Sequence, residues 1–273
     1  MPRVRRQFTV LGCASSPGVP RINGDWGACD PTNPRNRRSR AAFMLRQTGA
    51  DGGVTTVVID TGPDFREQMI ANRVTSIDAV LYTHSHADHV HGIDDLRGFA
   101  LSQRRQMPIH ADPETMSRIR AGFGYVMTTP EGSDYPPIVA PQLIESLDKP
   151  ILIDGAGGPV SIQPLDQIHG GIRSLGYRIG DVAYCCDVSD FPGATIDRLS
   201  GLDLLIIDCL QYKHHPSHLS LDQALGWIGT LAPRRAVLTH MHVPLDYRTV
   251  LDETPAHVEP GYDGMTIEFE VEL

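Results

Sequence analysis

The apolar residues of this chain come in short runs, most of them ending abruptly on a polar residue or a glycine. Runs over 7–11, 41–46, 54–59, 77–82, 108–110, 151–153, 160–165, 175–179, 182–186, 203–209, 236–239 and 265–271 are too short for helices. Several are bounded by Gly, Pro, Asn or Asp, so they predict strands. Turns at 49–53 and at Gly180-Asp181 predict two hairpins. Helical spacing appears over 64–72, with Phe65, Met69 and Ile70 on one face, then over 93–104 and over 113–120, where Pro113 sits in the first turn. Ser220 and Gln223 form a capping box that starts a helix over 221–231, and a short helix follows over 247–252. Strands and helices interleave through both halves, which predicts an α/β sandwich formed by one domain over 1–273. Two stretches have no period. Residues 23–40, rich in Gly, Asp, Pro, Asn and Arg, predict a loop excursion. Residues 122–141 carry Phe123, Tyr125, Tyr135 and several prolines. They predict a lid or binding loop, whose aromatics either stack on a sugar or base or anchor the loop.

Composition narrows the class. With 273 residues and 41% hydrophobic content the chain can bury a sizeable core. No apolar run is long enough to span a bilayer, and the apolar stretch behind the basic residues 1–6 is too short for a signal segment. The expected compartment is the cytoplasm, with no membrane partner. Five cysteines, Cys13, Cys29, Cys185, Cys186 and Cys209, are odd in number and unpaired in spacing, which argues against a disulfide framework. A formal net charge of -9 argues against broad nucleic-acid binding. The run of arginines over 35–40 reads as a solvated face. The expected partners are a small substrate and, as a homodimer, a second copy of the chain.

The chemistry concentrates in Thr83-His84-Ser85-His86-Ala87-Asp88-His89, placed where a buried strand turns into a helix. Side chains two apart on an extended chain point the same way, so His84 and His86 can reach one ion. Once the chain turns, Asp88 and His89 can face a second. Burying these groups without an ion would leave several unpaired, at a cost of a few kcal/mol each, on the order of what lost hydrogen bonds cost. Other strand ends present His169 beside Gly170-Gly171, then Asp187, then His240. Asp60, at the strand end Asp60-Thr61-Gly62, either orients a metal-bound imidazole or caps the strand. His218 lies on a loop just ahead of the capped helix. His91 and His110 read as structural.

In this order, His84-x-His86-x-Asp88-His89, His169, Asp187, His240 and Asp60-Thr61-Gly62 resemble the motif set of the metallo-β-lactamase superfamily over nearly the whole chain. Residues 12–20, Leu238-Thr239-His240 and 261–265 are similar to the PhnP-like phosphodiesterases, with tRNase Z nucleases as relatives. The resemblance implies a four-layer αββα fold and two divalent ions, zinc or manganese. It implies that His84, His86 and His169 hold one ion, that Asp88, His89 and His240 hold the other, and that Asp187 bridges them. It also implies a catalytic His218, with Asp88 a second candidate catalytic group. Two such ions can lower the pKa of a shared water toward neutrality, so the expected activity is hydrolysis of a small cyclic or nucleotide-like phosphodiester by metal-activated hydroxide. A tRNA 3′-processing endonuclease, a redox iron protein and a noncatalytic metal protein are the alternatives. The PhnP-like pattern further implies a structural zinc held by three cysteines of the early loop and a late histidine. Here only Cys29 remains, with His242, Asp25 and Asp30 as the nearest substitutes.

Overall fold

A computed structural model describes residues 3–129 and 131–272. Met1 and Pro2 of the basic N-terminus and Pro130 of the 122–141 stretch lie outside the described residues. The strands of the first half are β1 (Arg3–Gly12), β2 (Ala42–Thr48), β3 (Val54–Ile59), β4 (Ala79–Leu81), β5 (Met107–Ala111) and β6 (Val139–Leu143). Those of the second half are β7 (Ile151–Ile153), β8 (Val160–His169), β9 (Ile172–Ile179), β10 (Val182–Cys185), β11 (Leu204–Asp208), β12 (Arg235–Thr239), β13 (Val258–Pro260) and β14 (Met265–Glu272). The helices are α1 (Phe65–Ala71), α2 (Ala87–Val90), α3 (Leu96–Gln103), α4 (Pro113–Phe123), α5 (Gly193–Arg198), α6 (Leu221–Leu231) and α7 (Tyr247–Glu253).

Two seven-stranded sheets result, ordered β14-β1-β2-β3-β4-β5-β6 and β13-β12-β11-β10-β9-β8-β7. The two-residue period of the strands sorts their side chains into two cores. From β2, Phe43 and Leu45 enter the core between the sheets, as do Val57 and Ile59 of β3 and Ala79 and Leu81 of β4. The alternate residues Met44, Val58 and Val80 face outward, onto Phe65 and Met69 of α1, Leu96 of α3 and Ile119 of α4. On the far side Leu221, Ala224 and Ile228 of α6 close over the second sheet. The layers are helix, sheet, sheet, helix, the αββα sandwich that the motifs imply.

In each sheet one half, ending on an edge strand, is parallel: β3, β4, β5 and β6, then β10, β11, β12 and β13. Parallel strands deliver their carboxyl ends to one edge, and in α/β sheets that edge is where ligands bind. The helix over 221–231 forms with both halves of its capping box, Ser220 Oγ accepting from Gln223 N and Gln223 Oε1 from Ser220 N.

Some elements differ from expectation. Ile70 is 57% exposed while its neighbour Gln68 is buried. The Gln68 amide donates to Ser39 Oγ and Arg40 O, so a polar need of the packed excursion takes the inward position. The arginines of 35–40 are not simply solvated. Arg38 is buried and donates to Leu245 O, Arg35 lies between the Tyr247 and Tyr262 rings, and Arg40 pairs with Asp64. Strands β6 and β13 lie outside the apolar runs; each is short, contains a proline, Pro141 and Pro260, and sits at a sheet edge, where a missing N–H costs little. Between α4 and β6 the 122–141 stretch has one short helical turn, Gly124–Val126, and leaves Tyr125 and Tyr135 exposed, Tyr135 under the Arg97 guanidinium.

The contact between sheets runs through stacked rings. Phe43 of β2 lies 4.8 Å from Tyr184 of β10, nearly parallel, with Phe8 on its other side. Phe43→Ala should therefore cost about 3–5 kcal/mol, read as a lowered urea midpoint with an unchanged slope.

Candidate metal centre

Strand ends from both sheets converge at one edge. After β3 comes Asp60, after β4 Thr83 and His84, after β10 Cys186 and Asp187, and after β12 His240, while β8 and β11 end on His169 and Asp208. Three of these residues hold left-handed backbone: Asp60 at φ 67°, Asp187 at 54° and His240 at 59°. Non-glycine residues seldom accept that conformation, and such strain collects at functional sites. Local packing fixes the turn beyond β4 as well. Thr61 N donates to His89 O, and Gly92 N to Thr61 O, at 2.8 Å each. A Cβ on Gly62 would stand 2.1 Å from Asp88 O, so only glycine lets the chain carrying Asp88 approach this closely.

The donor atoms fall into two adjoining pockets. One atom each from His84, His86, His169 and Asp187 lie within 4.8 Å of one another, and so do one each from Asp88, His89 and His240. Asp187 serves both. Its Oδ1 is 3.8 Å from His84 Nε2 and 3.7 Å from His169 Nε2, whereas its Oδ2 is 3.1 Å from His89 Nε2 and 3.5 Å from His240 Nε2. Asp88 Oδ2 is 3.4 Å from His89 Nε2 and 3.8 Å from His240 Nε2. His86 is exposed at the mouth, its ring 4.4 Å from that of His84.

Surrounding groups set the tautomers. Asp60, fully buried, accepts from Thr83 N, from Thr83 Oγ1 and, at 2.7 Å, from His89 Nδ1. Asp60 thus both caps the strand end and orients an imidazole. His169 Nδ1 donates to Ser217 O at 2.7 Å. In both residues Nδ1 is engaged on the outer side, which turns Nε2 inward. His84 Nε2, His89 Nε2 and both nitrogens of His240 are buried without a hydrogen-bond partner. Four unpartnered imidazole nitrogens beside two carboxylates are a donor set that suits divalent cations, with no soft ligand needed.

Electrostatics in the pocket follow the same crowding. Burial disfavours charge on His84, and the neighbouring imidazoles add to it, so its pKa falls well below the ordinary value. Burial opposes ionisation of His89 too, but Asp187, Asp60 and Asp88 overcome it and push the imidazole well up. For Asp187, burial favours the neutral acid, yet His240, His89 and His84 hold the carboxyl well below its usual range.

His218 stands beside these pockets. Its Nδ1 is 2.8 Å from Asp208 Oδ2, its Nε2 is 4.0 Å from Asp187 Oδ1, and its ring stacks on His240 at 4.6 Å. Asp208, fully buried, also accepts from Leu219 N and Asp187 N. The sequence pattern missed Asp208 because it lies inside the apolar run 203–209. Its signal was the shared habit of a carboxylate at a strand's carboxyl end. His215 was missed as well: its ring lies 5.2 Å from His218 and its Nδ1 accepts from Ser217. His91 packs on Phe123, and His110 is half-buried in β5.

The early loop does not fit a further metal. Cys29 Sγ donates to Val243 O and Leu245 O. His242 Nδ1 meets Ser15 Oγ at 2.9 Å and its Nε2 meets Arg21 at 2.6 Å, while Arg21 also pairs with Asp25. Both nitrogens of the histidine are already engaged, one of them by a cation, and Cys29 turns elsewhere.

Comparison with known proteins gives the same picture. A model of the beta-lactamase superfamily domain matches residues 55–241. An octanoyltransferase of Porphyromonas gingivalis (strain ATCC BAA-308 / W83) is 34% identical over 260 residues, 94% of this chain but 50% of that protein. The chain therefore spans half the length of that relative. A solved structure described as a new diphosphatase from the PhnP family is 33% identical, with a TM-score of 0.88 over 99% of this chain and 100% of that one. The short form of human tRNase Z shares the fold, with a TM-score of 0.64 at 20% identity over 96% and 98% of the two chains.

Because Asp60 accepts three hydrogen bonds at positive φ, Asp60→Ala should cost about 3–5 kcal/mol, the scale for breaking a buried charged pair. Asp60→Asn, which tolerates the backbone and keeps one acceptor, should cost less. Urea unfolding of the metal-free proteins separates the two.

Proposed function

The chain belongs to the metallo-β-lactamase superfamily, on its PhnP-like branch, and from that premise we propose a metal-dependent phosphodiesterase acting on a small cyclic or nucleotide-like diester. In this reading His84, His86 and His169 hold one divalent cation, Asp88, His89 and His240 hold another, and Asp187 lies between. Cations held there would supply Lewis acidity to a phosphoryl oxygen and lower the pKa of water. The chain's own residues do the rest. Asp60 and the Ser217 carbonyl keep the Nε2 lone pairs of His89 and His169 turned inward.

The observation that carries the reading is the Asp208–His218 pair. A buried carboxylate 2.8 Å from Nδ1 orients the ring and turns Nε2 to the edge of the donor pockets. Placed there, His218 can protonate a leaving alkoxide as the phosphorus–oxygen bond breaks. Asp88 acts as a ligand in this scheme; a separate proton-transfer role is not required. The net charge of -9 suits a small substrate better than tRNA. A second reading, cleavage of a diphosphate anhydride, is favoured by the 33% identical relative described as a diphosphatase.

Three measurements test this. A panel of cyclic and linear diesters and nucleoside diphosphates, offered to protein loaded with zinc or manganese, should show diester hydrolysis. Turnover of anhydrides alone would select the second reading, and no turnover would overturn both. His218→Ala should lower kcat by about 10²–10⁴-fold with metal content unchanged. Proton release supplies the third. Burial lowers the His240 pKa, but Asp187 and the neighbouring carboxylates push it up to about 9 in the metal-free protein. Its protonated form then contributes stability below about pH 6.5 that is lost as the pH rises through 9. Zinc binding must expel that proton, so affinity rises with pH across this window. Calorimetric titration in two buffers at about pH 7.5 should show proton release, reduced in His240→Ala.

A further inference from the structure

The peptide of Asp187 is held at both ends, its N–H by Asp208 Oδ2 at 3.1 Å and its carbonyl by the Ser174 hydroxyl at 2.7 Å. That fixes the backbone but not the carboxylate, which can still turn about its own bonds. Among the described residues, the Cys186 thiol, with Sγ 2.9 Å from Oδ2, is the group whose geometry makes a hydrogen bond to that carboxylate. Cys186 is fully buried, and its sulfur, a carboxylate oxygen of Asp187 and a nitrogen of His240 lie within 4.8 Å of one another. Adjacent sulfur and carboxylate oxygen at this distance require a proton between them, and the thiol is the available donor.

We propose that Cys186 is a positioning residue: its S–H holds Asp187 Oδ2 toward His89 and His240 and so leaves Oδ1 toward His84 and His169. This rests on reading the two donor pockets as a metal centre. One side chain then divides its two oxygens between the pockets instead of turning both to one of them. A partner behind a ligating carboxylate tunes affinity without touching the ion. Cys185, the preceding cysteine, is equally buried in the core but makes no side-chain hydrogen bond among the described residues, which makes it the control.

The test compares the wild type with Cys186→Ala, Cys186→Ser and Cys185→Ala. Cys186→Val, bulkier than cysteine and without a donor, backs the alanine variant should that fail to fold. Zinc affinity is measured by competition with a chromophoric chelator, and cobalt-loaded protein is examined by absorption. The expected result is a loss of roughly 10–100-fold in affinity for Cys186→Ala or Cys186→Val. Cys186→Ser should recover most of it, and Cys185→Ala should behave as wild type. Wild-type affinity in folded Cys186→Ala or Cys186→Val overturns the proposal. So does a thiolate-to-cobalt charge-transfer band in the wild type that disappears in Cys186→Ser, since sulfur would then be a ligand. A wild type that takes up no divalent cation overturns the metal-centre reading and this inference with it. A cation-binding wild type with an indifferent variant overturns this inference alone.

Discussion

The architecture depends on burying Asp187, a carboxylate with 2% of its side chain exposed, among imidazoles reached from several strands. Unpaired burial of such a charge would cost several kcal/mol or more. It is tolerable because His84 and His169 stand at one oxygen and His89 and His240 at the other. No single strand can supply all four. Strands of both sheets therefore have to finish at the same edge, and the topology is what brings them there.

Holding so many polar side chains inward distorts the chain where they leave the sheet. Asp60, Asp187 and His240 take left-handed backbone at the last step of three strands. Two of them are fastened against their neighbours: Asp60 through Thr83 and His89, Asp187 through Asp208 and Ser174. The stacked Phe43 and Tyr184 rings join the two sheets that carry these residues. Packing, backbone strain and donor placement are in this way one structure, and weakening the sheet contact loosens the cluster above it.

Much of this was legible in the chain because its signals are local. The alternation of His84 and His86 along an extended segment, and the turn before Asp88 and His89, can be read from six consecutive residues. His169, Asp187 and His240 announce themselves by ending apolar runs. What was not legible depends on partners far away in sequence. Arg38 looks like a surface charge until Leu245, 207 residues on, offers its carbonyl. Asp208 is camouflaged by apolar residues on both sides, and its importance appears only when His218 folds back onto it. Ile70 and Gln68 exchange places because the excursion over 23–40 ends in groups that need an amide. The edge strands β6 and β13 are five and three residues long and mix polar residues with few apolar ones, so they leave no apolar run to read.

The knot of Ser15, Arg21, Asp25 and His242 has a consequence for how the molecule would fail. It ties the early loop to the chain just past His240 using only hydrogen bonds and an ion pair, and it draws on no inorganic component. Loss of a metal from the donor pockets would therefore leave this tie between the early loop and the chain past His240 in place.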